Sequence, residues 1–187
     1  HNTFPYFDGG ASISRTARVF PTYLVFKPAM IFTAFLLIKY WIYNKKIISL
    51  LDKNHKNIRL FVFFGISSAI FLILHSIFLG VKFDNDFYKL FRRVILLAFI
   101  IFEIAAQFYL VRTIYSLKRK IFSYLDSRIL KIKLILVSLL IIVAIISIPL
   151  ISMPGNTHLK HALEWDYFLG VIFFYFLTFL MWKKRKA

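Results

Sequence analysis

Five apolar stretches, separated by short polar or charged segments, constrain this chain more than any other feature. They run over residues 19–43, 60–81, 91–115, 134–153 and 162–182. A helix crosses a hydrocarbon core with about 20 predominantly apolar residues, and all five reach or approach that length. Soluble domains hold about 45–50% apolar residues, whereas this chain has 60% hydrophobic residues and 23 Phe among 187. Its mean hydropathy is +0.73. The pattern predicts an all-α membrane protein, a polytopic helical bundle forming a single transmembrane domain with five spans.

Charge sets the expected orientation. Residues 44–59 carry Lys45, Lys46, Lys53, Lys56 and Arg59 against Asp52; residues 116–133 carry Lys118, Arg119, Lys120, Arg128, Lys131 and Lys133 against Asp126; the tail carries Lys183, Lys184, Arg185 and Lys186. Cytoplasmic segments keep an excess of Lys and Arg, so these three are read as one cytoplasmic face. The turn-rich segment 1–18, the connection with Asp84 and Asp86, and the turn at Pro154–Asn156 then lie on the other side. Residue 1 is placed outside the cytoplasm and the C-terminus inside. An inward N-terminus would need one more span ahead of His1, giving six in the full-length protein. Within 116–133 the run IFSYL reads as a short amphipathic surface helix. Pro28 and Pro149 are expected to interrupt the first and fourth spans.

A formal net charge of +17 could indicate nucleic acid, but such binders gather charge on one soluble face. Here it is divided into short clusters between apolar runs, so no nucleic-acid partner is expected. The chain has no Cys, which removes disulfides and thiol chemistry. P-loop, GxGxxG and GxSxG motifs are absent, and no cofactor is expected.

Ionisable groups inside spans turn inward and pair, because each is expensive to hold in hydrocarbon. Lys27, His75, Glu103, Gln107 and Glu164 form the candidate intramembrane polar cluster, with Lys27–Glu103 or Lys27–Glu164 as the simplest pairing. Such a cluster either fixes helix packing or lines a polar pocket open to the outer leaflet. Glu164, Asp166, His161 and His75 are the candidate catalytic acids and bases. No metal centre is expected; His158, His161, His75 and Glu164 are the residues that would build one, without an HExxH spacing. Lys118, Arg119, Lys120, Lys183, Lys184, Arg185 and Lys186 are the candidate contacts for anionic headgroups.

The segment FPYFDGGASISRTAR followed by a span containing KYW, together with ALEWDYFLGVIFFYFLTF in the last span, resembles the DRAM family, the damage-regulated autophagy modulators. That family is grouped with the Frag and Sfk proteins and with lipid remodellers of GPI anchors. Pro5, Tyr6, Asp8, Gly9, Glu164 and Trp165 match its two short motifs. Phe7 stands where the family loop has Ile, and Asp8 runs directly into two glycines, so the family's Ser position is not matched. The resemblance implies six helices, of which this chain would hold the second to the sixth. It also implies a plasma-membrane or endomembrane protein acting in lipid organisation, trafficking or autophagy.

The function expected is a non-enzymatic bundle that binds membrane lipids, with anionic headgroups on the cytoplasmic side, or a protein partner. The alternatives are an outer-leaflet lipid-modifying enzyme of the GPI-remodelling kind, and a small transporter using Lys27 and Glu103.

Overall fold

The computed structural model describes residues 4–17, 19–81, 85–152 and 155–183. Among them the chain is helical, with a single isolated antiparallel bridge between Leu125 and Trp182. Two short helices, α1 (Pro5–Asp8) and α2 (Ile13–Thr16), precede five long ones: α3 (Thr22–Leu51), α4 (Ile58–Phe78), α5 (Asp86–Ser116), α6 (Ser127–Ser152) and α7 (Thr157–Met181). All five long helices are apolar and long enough to cross a membrane. Their outward surfaces carry large apolar side chains such as Phe32, Phe35, Phe63, Ile70, Ile135, Ile142, Phe173 and Phe179, a surface suited to lipid rather than water. This is a multi-pass helical membrane protein.

The chain folds as two compact units, residues 17–117 and residues 1–16 with 118–187. In the first, α3, α4 and α5 pack in sequence order. The buried stripe of α3, Ala34–Leu37–Trp41–Asn44–Ile48, advances by alternate steps of three and four, which keeps it on one face. Gly65 on α4 makes room for the Trp41 indole of α3, which a Cβ there would strike. Small residues at contacts of this kind are how helices pack without a hydrophobic drive between them. The α4–α5 hairpin is tied at both ends: Tyr88 Oη donates to the Phe78 carbonyl at 3.1 Å, and His55 Nε2 lies 3.1 Å from Ser116 Oγ. Asn85 caps α5 by accepting from the Phe87 amide at 2.9 Å.

In the second unit α6 and α7 pair, with Gly170 meeting Leu140. Asp126 Oδ1 caps α6 by accepting from the Arg128 amide at 2.8 Å. The start of α6 is pinned to the end of α7, because the Asp126 amide donates to the Met181 carbonyl and the Lys183 amide to the Tyr124 carbonyl, each at 2.9 Å.

Several expected boundaries move. The segment read as loop 44–59 is helical to Leu51, since Asn44 and Ile48 continue the buried stripe of α3. Likewise α6 begins at Ser127, so Arg128, Lys131 and Lys133 are helical. The run IFSYL is a single 3-10 turn over Phe122–Tyr124 rather than an amphipathic helix. Pro28 and Pro149 lie inside α3 and α6 without ending them.

Candidate functional site

The N-terminal segment and the first two turns of α7 form the most specific constellation in the chain. Asp8 shapes the segment: its Oδ2 accepts from the Phe4 amide at 2.9 Å and its Oδ1 from the Gly10 amide at 2.8 Å. The carboxylate thereby closes α1 from both ends, a role that suits a short side chain beside its own backbone. Gly9 follows at φ +60°, the left-handed conformation that glycine adopts without strain. A Cβ at Gly9 would also collide with the backbone of His158, so two independent constraints require glycine here.

Three side chains of α7 read the carbonyls of this segment. His158 Nδ1 is 3.0 Å from the Asp8 oxygen, His161 Nδ1 is 2.9 Å from the Gly9 oxygen, and Trp165 Nε1 donates to the Ala11 oxygen at 2.8 Å. Positions 158, 161 and 165 are spaced by three and four and therefore share one helix face. Tyr6 adds an edge-to-face contact with Trp165 at 5.4 Å between centroids. Carbonyl oxygens only accept, so both imidazoles hold a proton on Nδ1. Tyr6, Asp8, Gly9 and Trp165 meet in this contact, and Pro5 opens α1. Glu164 is half-buried beside it and engaged in an interaction of its own, while Asp166 is exposed.

The remaining candidates divide between the units. Lys27, His75, Glu103 and Gln107 lie in the unit 17–117, and Glu164 in the other. Glu103 is fully buried and accepts from Ser68 Oγ at 2.7 Å and from Gln107 Nε2 at 3.0 Å. The expected Lys27–Glu103 pair is not formed. Glu103 faces Ser68 across α4–α5, whereas Lys27 lines a separate cavity at the start of α3 with Ala17, Tyr23, Leu79 and Gly80. His75 is buried on α4 and engaged there. Trp41 Nε1 and Gln107 Oε1 are buried without a hydrogen-bond partner among the described residues. No three His, Asp or Glu side chains converge as a ligand set among the described residues.

Lys133 corrects the charge map. The sequence places it in a cytoplasmic loop, yet it is fully buried in the α6–α7 seam. Its ammonium donates to Thr178 Oγ1 at 2.5 Å and lies 3.9 Å from the Phe174 ring centroid. The signal was available in the spacing, since Leu130, Lys133, Val137 and Leu140 form one continuous seam. Among the headgroup candidates, Lys118 is half-buried and Arg119, Lys120 and Lys183 are exposed. Lys184, Arg185 and Lys186 lie outside the described residues, as does Asp84.

No protein-family model, curated protein or solved structure matches this chain.

Proposed function

We propose that this is a non-enzymatic, lipid-binding multi-pass protein of the DRAM, Frag and Sfk type. Its N-terminal segment is clamped to the last span on the non-cytoplasmic side, and its basic segments engage anionic headgroups on the other. The observation that carries the reading is the clamp: the two stretches that resemble the family motifs, 5–9 and 164–165, are far apart in sequence and meet through Tyr6, Gly9, His161 and Trp165. The polar side chains of the clamp close on backbone carbonyls, which makes a structural joint rather than a reaction centre. The α3 surface bearing Leu36, Lys39, Tyr40, Tyr43 and Lys46 further supports lipid contact, because it alternates interfacial aromatics with cations.

The test is the lipid composition retained by the protein after reconstitution with mixed neutral and phosphatidylserine lipids. Enrichment of the anionic lipid, lost on neutralising Lys118, Arg119 and Lys120 together, is expected at about 1 kcal/mol per cation near the surface. Retained lipid that mirrors the bulk mixture rejects the reading.

The outer-leaflet enzyme has one observation in its favour. Imidazoles fixed through Nδ1 are oriented as general bases are, with Nε2 as the remaining ring nitrogen. Lipid-modifying activity that disappears with His161→Ala and Glu164→Gln, while the fold is kept, would establish it over the non-enzymatic reading.

A further inference from the structure

α3 is longer than a membrane is thick. Its 30 residues span about 45 Å at about 1.5 Å each, against about 30 Å of hydrocarbon. Counted from Thr22, about 20 residues of hydrocarbon depth end near Trp41, and exposed Lys39, Tyr43, Lys45 and Lys46 flank that boundary. Across it one face of α3 runs Phe32, Leu36, Lys39, Tyr43 and Lys46, in alternate steps of four and three. This face lies opposite the buried stripe through Trp41 and is exposed throughout, Leu36 to 49% and Tyr43 to 64%. Leu36, Lys39, Tyr40, Ile42, Tyr43 and Lys46 line one groove of about 460 Å³. Two cations two turns apart therefore meet the same space. Helical side chains lean toward the N-terminus, which brings the Lys46 stem toward Tyr43, and a lysine just inside the boundary extends its ammonium outward along its own stem. Asp52, the acid that ends α3, is six positions beyond Lys46 and off this face.

We propose that this groove holds one anionic glycerophospholipid, its phosphodiester between the Lys39 and Lys46 ammonium groups beside the Tyr43 hydroxyl, and an acyl chain along Leu36 and Phe32. This rests on the lipid-binding reading above and gives it a discrete site, in the leaflet at the C-terminal end of α3. The order of side chains sets the direction of the lipid. Cations stand at the boundary, and apolar side chains lead from them into the span, as phosphate and chain follow one another in a phospholipid. Two lysines facing one phosphodiester leave a net positive charge, so a headgroup that brings no cation of its own is preferred over a choline ester.

Native mass spectrometry of the full chain in detergent tests it, with dioleoyl phosphatidylglycerol, dioleoyl phosphatidylcholine and glycerol phosphate as separate probes. One phosphatidylglycerol should bind in preference to the other two. Lys39→Gln and Lys46→Gln should each weaken it about fivefold, the effect of one well-placed cation. Lys45→Gln, at an exposed position beside Lys46 but off the groove, should leave it unchanged. The second measurement needs no variant: phosphatidylglycerol with a photoreactive group at mid-chain, added at one lipid per chain, should label the peptide containing Phe32 and Leu36. Equal weakening by Lys45→Gln and Lys46→Gln, equal binding of phosphatidylcholine, displacement by glycerol phosphate at the lipid's own concentration, or labelling confined to residues beyond Tyr43 each overturns the proposal. If Lys39→Gln and Lys46→Gln change nothing while phosphatidylserine enrichment still depends on Lys118, Arg119 and Lys120, the groove alone is rejected. If that enrichment is absent while phosphatidylglycerol binding still depends on Lys39 and Lys46, the groove stands and the basic-segment reading falls.

Discussion

The indole N–H of Trp165 meets the carbonyl of Ala11 at 2.8 Å, joining positions 154 residues apart in sequence. With His158 and His161 on the same face of α7, it converts a turn-rich N-terminal segment into a fixed part of the last span. Each of these bonds contributes about 0.5–1.5 kcal/mol, and together they offset the entropy lost in ordering the segment.

Trp165→Phe keeps a ring against Tyr6 and removes the N–H. It should lower unfolding stability in detergent by about 1 kcal/mol. Trp165→Ala should lower it further by about another 1 kcal/mol through loss of the edge-to-face contact. Equal stability of Trp165→Phe and the parent would mean that the bond to Ala11 contributes nothing.

Gly9 and Gly155 both hold positive φ, at +60° and +89°, but only Gly9 is pressed against another backbone. Gly155→Ala should carry the conformational strain alone, about 1–2 kcal/mol. Gly9→Ala should exceed it and also expose residues 4–16 to proteolysis, since His158 must move. Comparable effects at the two positions would remove the close approach as a cause.

Glu103 holds Ser68 and Gln107 together inside α4–α5. Glu103→Leu leaves the Gln107 amide without this acceptor, while Ser68 Oγ keeps the Gly65 carbonyl at 2.9 Å, and should destabilise by about 1–3 kcal/mol. A double-mutant cycle of Ser68→Ala with Glu103→Gln should show coupling above about 0.5 kcal/mol, as expected of residues in one hydrogen-bond network. Additive effects would place them in separate environments.

Lys133 and Thr178 should respond with opposite signs. Replacing a buried ionic group by an apolar one of similar volume is often neutral or stabilising, so Lys133→Met should hold or raise the melting temperature. Thr178→Val removes the hydroxyl that Lys133 donates to and should destabilise by about 1–3 kcal/mol. A large loss on Lys133→Met would show that its bonds outweigh its desolvation.

Gly65→Ala should destabilise by about 1–3 kcal/mol, the usual result of overpacking. The Cβ it adds reaches the Trp41 indole, the largest fully buried side chain in the protein. An unchanged melting temperature would mean that α3 and α4 can separate freely.

The helix content and the five long apolar helices were legible in sequence, because a span leaves a long one-dimensional signature that needs no partner to be recognised. The helix starts and ends were less so. Asn44 and Lys133 look like loop residues by type, and only the continuation of the buried seam past them shows that they are helical. The Glu103–Gln107 contact was visible as a one-turn spacing, whereas its Ser68 partner lies 35 positions away.

Composition and hydropathy by themselves determined that this chain is a multi-pass helical membrane protein, because burying the backbone and its apolar side chains in lipid leaves helices as the solution for such runs. Tertiary structure alone decided that Asp8 closes a turn, that two histidines direct their Nδ1 protons to carbonyls, and that Lys27 and Glu103 stand apart. Those outcomes depend on which helix faces meet, and a local pattern of residue types fixes a face without fixing what packs against it.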